Sequence, residues 1–200
     1  MQVLTVLCHP RPDSFTAGVA HEFRAGLAES GHGGELADLY AEGFDPLVFP
    51  PDEPDWYQPK RFSDAVLAEQ ARVERHDAIA MVFPVWWWSV PAMLKGWIDR
   101  VWNRGWAYSQ SQLRLEQGLL IGVAAGTAKN YDGPRGYRGA MEIQLVQGVL
   151  DYCKVRNGRL ELLMNSKESD AMRAELLRRA RTLGRDFVRA PAEAVESRQA

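Results

Sequence analysis

Ala78-Ile79-Ala80-Met81-Val82-Phe83 runs directly into Pro84-Val85-Trp86-Trp87-Trp88-Ser89-Val90-Pro91, and these two stretches decide the fold. The first is apolar at every position, as a strand is when both faces of its sheet are covered. The second ends that strand, and a helix is predicted after it over residues 92–102. Three consecutive tryptophans at the end of a buried strand cannot all face the core, because neighbouring side chains point to opposite sides. At least one of Trp86, Trp87 and Trp88 must cover an exposed cleft or an interface. A flat aromatic cofactor suits that place: indole faces exclude water, and amides in the turn can bond the cofactor's polar edge. Aromatic packing at a subunit interface is the other reading.

Outward from this strand the same unit recurs. Strands are predicted at residues 3–8, 35–39, 119–125 and 159–163, and helices at 14–30, 65–75, 141–152 and 169–189. Five strands alternating with helices specify a parallel sheet covered on both faces. Residues 40–62, rich in Pro, Asp and Trp, form a long connection without a clear period; such segments tend to be functional or to pack on a partner. Residues 1–190 read as a single domain and residues 191–200 as a flexible tail.

Composition narrows the function. With 24 basic and 26 acidic residues the net charge is −2, which speaks against a broad nucleic-acid or anionic-membrane surface. Cys8 and Cys153 sit in apolar runs and read as buried thiols in a reducing compartment. No export signal and no uncharged stretch near the ~18 residues of a membrane span is visible, so a cytoplasmic protein is expected.

Ligands of parallel sheets bind beyond the carboxyl ends of the strands. In the loop after the first strand, His9-Pro10-Arg11-Pro12-Asp13-Ser14-Phe15-Thr16-Ala17 leads into a helix whose free N–H groups suit a phosphate. Ser14 and Thr16 add hydroxyls, and His9 and Arg11 add charge or hydrogen bonds. The simpler reading makes Asp13 or Ser14 only the helix N-cap. The loop lacks the glycines of a dinucleotide fingerprint, so hydroxyls and amides would hold a nucleotide. After the fourth strand, Ala124-Ala125-Gly126-Thr127 opens a glycine-rich loop over residues 126–139, whose small residues let backbone approach a planar ligand. Tyr131, Tyr137 and Arg138 then lie where they can furnish donors. The histidines are scattered without partners at ligand spacing, so no metal site is expected. There is no Gly-x-Ser-x-Gly elbow and no cysteine in a reactive setting.

Together these loops resemble the NAD(P)H:quinone oxidoreductase family, whose members include DT-diaphorase and the modulator of drug activity B. The matching residues are Cys8-His9-Pro10 with Ser14-Phe15, Asp38-Leu39-Tyr40, Ala68-Glu69-Gln70, the segment from Phe83 to Val101, and Trp106-Ala107-Tyr108. The resemblance implies a flavodoxin-like three-layer α/β sandwich with a five-stranded parallel sheet of order 2-1-3-4-5. It implies a flavin, FAD with FMN as the alternative, and NAD(P)H as co-substrate. Ser14, Phe15, Thr16 and Ala17, with His9, would then bind the flavin phosphate and ribityl region. Pro84, Val85, Trp86, Trp87 and Trp88 would line the ring edge, and Ala124, Ala125, Gly126 and Thr127 would close the other side. The family is dimeric. The substrate pocket would be formed by Trp88 with Trp106 and Tyr108, the last two acting as roof residues for the neighbouring subunit. Tyr131 and Arg138 would take the catalytic positions.

Two departures stand out. The family's fourth-strand loop often reads Thr-Thr-Gly-Gly, so this chain loses two hydroxyls there. Arg138 stands where DT-diaphorase has a histidine, and an arginine stabilises negative charge without shuttling protons near neutral pH. The expected activity is two-electron reduction of a quinone-like acceptor in ping-pong fashion. A flavin-bearing regulatory subunit docked on a membrane potassium efflux system is the alternative. A one-electron carrier fits less well, because carrier flavodoxins tend to be strongly acidic.

Overall fold

The computed structural model describes residues 1–53, 61–109 and 113–189. The predicted tail at 191–200 and part of the long connection lie outside them. Five strands, β1 (Val3–Leu7), β2 (Leu36–Asp38), β3 (Ala78–Pro84), β4 (Gln117–Val123) and β5 (Gly158–Leu163), form one parallel sheet. Their order is β2-β1-β3-β4-β5, as the resemblance implies. Because β1, β3 and β4 are paired on both sides and covered on both faces, every residue in them is buried. That is why their sequences show continuous apolar runs.

Alternation along each strand divides the core in two. Leu4, Val6, Ile79, Met81, Phe83, Leu120 and Leu162 face one layer. Val3, Leu7, Ala78, Ala80, Val82, Leu119 and Ile121 face the other. The first layer holds α2 (Asp64–Glu74), α3 (Ala92–Val101) and the segment after β4. The second is roofed by α1 (Phe15–Glu29) and α6 (Asp170–Arg185).

Two predicted boundaries change character. The glycine-rich stretch is not all loop: α4 (Ala128–Tyr131) and α5 (Tyr137–Met141) form within it. The helix expected over 141–152 is a π-helix at Glu142–Asp151, continuous with α5. Hydrophobic spacing reports which side of a helix is buried but barely separates i→i+4 from i→i+5 bonding. Among the described residues no helix is long and apolar enough to cross a membrane.

Glycine sets the distance between α1 and α6. A Cβ on Gly26 would lie 2.0 Å from the Arg181 carbonyl oxygen, and one on Gly184 would lie 2.0 Å from that of Phe23. Both obstacles are backbone, so only separation of the helices relieves them. Gly184→Ala is expected to cost about 1–3 kcal/mol, because overpacking a close contact outweighs the alanine's better helix propensity. Thermal or urea unfolding checks this, and a stabilised variant would contradict it.

Candidate functional site

β1 ends where Cys8 N–H donates to the Val82 carbonyl. The chain then turns through residues 9–13. Arg11 N–H donates to His9 Nδ1 at 3.1 Å, so Nδ1 is unprotonated and Nε2 carries the hydrogen. Burial holds the His9 pKa below its ordinary value, with the Arg11 charge acting in the same direction. Ser14 has extended backbone and caps α1, its hydroxyl accepting from Ala17 N–H at 3.1 Å. The N-cap reading of Ser14 is therefore realised. It leaves the hydroxyl hydrogen free to donate to a ligand. The amides of Phe15 and Thr16, first in the helix, have no acceptor among the described residues.

A cleft of about 420 Å³ opens beside this N-terminus. Of the residues singled out from sequence, His9, Ser14, Phe15, Thr16, Pro84, Val85, Trp86 and Ala125 line it. Ala17 is buried behind the cap. Ala124 is buried too, its N–H donating to the Leu163 carbonyl and its carbonyl accepting from Ser166 N–H. Gly126 accepts from Asn165 N–H, which ties the loop after β4 to the loop after β5. Thr127 caps α4, its N–H and hydroxyl both donating to Asn130 Oδ1.

The sequence reading passed over the loop after β5. Ser166, Lys167 and Arg173 complete the cleft wall, and Arg173 lies over the Phe15 ring at 4.9 Å. With Arg11 they place three cationic groups against the single carboxylate of Asp13 around the cleft. β5 borders β4 in the sheet, so the rule that singled out the other loops also covers this one. Applying it to every strand points to the segment of Ser166 and Lys167, though not to Arg173, which lies on α6.

The tryptophan turn is closed by reciprocal backbone bonds between Trp86 and Ser89, both at 3.1 Å. Trp87 and Trp88 occupy it at φ of 49° and 59°. Bulky residues rarely adopt these angles, which cost about 1–3 kcal/mol each and tend to persist at functional sites. The amides of Trp87 and Trp88 have no acceptor among the described residues. Trp87 is 94% exposed and Trp86 is exposed on the cleft wall, so two of the three indoles lie outside the core, placed there by the turn. Trp88 turns back, edge-on to Tyr131 at 5.2 Å and stacked on Tyr137 at 3.7 Å. Burial raises the pKa of Tyr131, keeping it a neutral phenol.

Arg138 hydrogen-bonds Asp132 through Nε and a terminal nitrogen. That bond raises the arginine's pKa further and lowers that of the aspartate. Trp106 and Tyr108 lie elsewhere. Trp106 Nε1 donates to Glu74 at the end of α2, and Tyr108 packs at 5.3 Å on Tyr152 after the π-helix. Glu74 and Tyr152 stand at the ends of the helices that lead into β3 and β5, which puts this pair toward the amino edge of the sheet, while the cleft lies beyond its carboxyl edge. Cys8 and Cys153 are buried free thiols, pushed by burial to about 12 and about 11, and neither supplies a nucleophile. Among the described residues no group of three or more His, Cys, Asp or Glu side chains is placed to hold a metal.

Sheet order and a cation-lined cleft at the carboxyl edge define a flavodoxin-like α/β protein. The model of the flavodoxin-like fold family matches residues 1–183, and the chain belongs to the NAD(P)H:quinone oxidoreductases of that fold. It is 44% identical over 132 residues to the uncharacterized NAD(P)H oxidoreductase YcaK of Escherichia coli, covering 65% of this chain and 67% of that one. It is 31% identical over 176 residues to the mouse ribosyldihydronicotinamide dehydrogenase [quinone], covering 76% of each. Among solved structures, an NAD(P)H:quinone oxidoreductase from Methanothermobacter marburgensis superposes with a TM-score of 0.86 at 32% identity. That match spans 94% of this chain and 96% of that one.

Proposed function

We propose that the protein is a two-electron NAD(P)H oxidoreductase acting on quinone-like acceptors, with FAD bound non-covalently in the cleft. The observation that carries this reading is the donor set. The Phe15 and Thr16 amides and the Ser14 and Thr16 side chains meet Arg11, Lys167 and Arg173 around one cavity. Such a set answers phosphate charge. Three cationic side chains around the cleft are more than one phosphate needs and suit a second, which favours FAD over FMN. On the ring side, the open amides of Trp87, Trp88, Ala125 and Gly126 provide hydrogen bonds for a polar aromatic edge. The flavin fits this cleft.

When bound, the flavin supplies the hydride relay that lets nicotinamide and acceptor react in turn. The chain's own contribution is positional. Ser14 and Thr16 anchor the phosphate, and His9 offers Nε2–H as a neutral donor. The strained Trp86–Ser89 turn holds its amides where they need no rearrangement. Arg138, paired with Asp132 and held fully protonated, supplies no proton.

Mass identification of the cofactor released from purified protein, with NAD(P)H–quinone turnover, tests the reading. A colourless protein that binds no added flavin would refute it. Nucleotide binding without turnover would instead favour the regulatory-subunit alternative.

The working unit in this reading is a homodimer. Trp106 and Tyr108 face away from their own cleft, so a pocket they roof belongs to a second copy. Tyr108→Ala is expected to leave flavin content intact and raise the acceptor KM about tenfold, equivalent to ~1.4 kcal/mol of lost contact. Light scattering that finds a fully active monomer would overturn the shared pocket.

A further inference from the structure

Tyr137 occupies a place that the proposed function leaves unexplained. Its ring lies on Trp88 with centroids 3.7 Å apart and planes only 12° from parallel. Electron-rich aromatic pairs favour offset or edge-on contacts, with centroids roughly 4.5–7 Å apart, over a face-to-face sandwich. The Trp88–Tyr131 contact is of the favoured kind, at 5.2 Å and 71°. The Tyr137 stack is of the other kind. An electron-poor ring is the better occupant of that indole face, since its quadrupole complements that of the indole.

The two partners are held unequally. Trp88 is fixed by its edge contact with Tyr131 and by the Trp86–Ser89 turn, whose Ser89 hydroxyl donates to Gln144 at 2.7 Å. Tyr137 is half-buried against the edge of the same core, and its hydroxyl has one long contact among the described residues, with Arg135 at 3.4 Å. It follows Gly136 at φ 63°, and a side chain added at Gly136 or Gly139 would meet nothing within 4 Å. The chain on either side of Tyr137 therefore has room to move. The pair stands just beyond the cavity lining: Trp88 is two residues from Trp86, which lines the cavity, and its neighbour Tyr131 lies against Gly126, next to the lining residue Ala125.

We propose that Tyr137 is a specificity-determining cover: it rests on Trp88 in the position of a planar, electron-poor acceptor ring, which binds by displacing it. The proposal rests on the acceptor class assigned above and adds a selection rule to it. Flat conjugated rings recover the stack that they break; acceptors without such a ring gain nothing from the exchange. Tyr137 acts here by competition for the indole face.

The test compares the flavin-loaded wild type with Tyr137→Leu and Tyr137→Phe. 1,4-Naphthoquinone is titrated into oxidised protein without nicotinamide, and KM is measured for naphthoquinone and for ferricyanide, which has no ring. Removing the competing ring is expected to tighten naphthoquinone binding and lower its KM about two- to tenfold in Tyr137→Leu. Tyr137→Phe, which keeps a ring on Trp88, should stay near wild type, and the ferricyanide KM should not fall in either variant. Weaker or unchanged naphthoquinone binding in Tyr137→Leu, with flavin content and melting temperature retained, would overturn the proposal. So would an equal fall for ferricyanide. Because the titration needs no turnover, it still reads the cover if the chain proves not to reduce quinones. Turnover without any change in binding would sink the cover and leave the oxidoreductase reading intact.

Discussion

Ser14→Ala combined with Thr16→Val is expected to strip flavin from the purified protein, raising its dissociation constant about a hundredfold to ten-thousandfold. Each hydrogen bond to a charged phosphate oxygen is worth roughly 1.5–3 kcal/mol, and the two together about 3–6 kcal/mol. The two substitutions act differently, because Ser14 also caps α1 through Ala17 N–H. Losing that cap costs ~1 kcal/mol of stability whether or not flavin is present. Thr16→Val keeps the side chain's shape at a residue that is 3% exposed and removes only the hydroxyl. A fall in flavin affinity for Thr16→Val alone, with the apoprotein's melting temperature held, therefore reports the phosphate contact. Flavin titration followed by absorbance or fluorescence measures it. Unchanged affinity in the double variant would remove the α1 N-terminus from the site.

Much of this architecture was legible in the sequence because burial writes itself into composition. Residues 78–84 are apolar throughout since β3 has a neighbour on each side and a layer on each face. The turn at 86–89 could be located, but not the geometry that makes it useful. Nothing in three consecutive tryptophans states that two of them adopt positive φ. Lys167 and Arg173 stayed hidden because a lone cation in a loop or first helical turn looks like solvated surface until the fold carries it to the cleft. Arg138 shows the converse. Its place in the glycine-rich loop could be read, while its bond to Asp132 depends on the backbone turning between α4 and α5. The side-by-side positions of Tyr137 and Trp88, far apart in sequence, also required the fold.

The largest stability effect is expected at Arg100, whose guanidinium pins the long connection after β2 to α3. Its Nε donates to Asp52 at 2.9 Å and its NH1 to the Asp45 carbonyl at 2.6 Å, while Phe44 and Phe49 flank it. Asp52 is 1% exposed and also accepts from the amide and hydroxyl of Ser63, the N-cap of α2. One carboxylate thus joins the connection to two helices. Arg100→Met preserves bulk but leaves that carboxylate buried without its counter-charge, a change that costs about 3–5 kcal/mol. For a chain of this size it lowers the melting temperature by roughly 6–20 °C. The pH dependence gives the sharper test. Burial alone would raise the Asp52 pKa, but the Ser63 and Arg100 hydrogen bonds outweigh it and hold the group below its ordinary value. A depressed folded pKa contributes stability above the unfolded value of ~3.9, and that stability is lost as pH falls through the folded pKa. Without Arg100 the Asp52 pKa rises from its wild-type position, because a hydrogen bond and a charge that lowered it are gone, and protonation then relieves the folded state. The penalty of Arg100→Met should therefore be largest near neutral pH and shrink toward pH 4, as read by denaturant unfolding at both values. A penalty below about 1 kcal/mol, or one that does not vary with pH, would mean that Asp52 is held by Ser63 alone and that the arginine serves only to pack against the two phenylalanines.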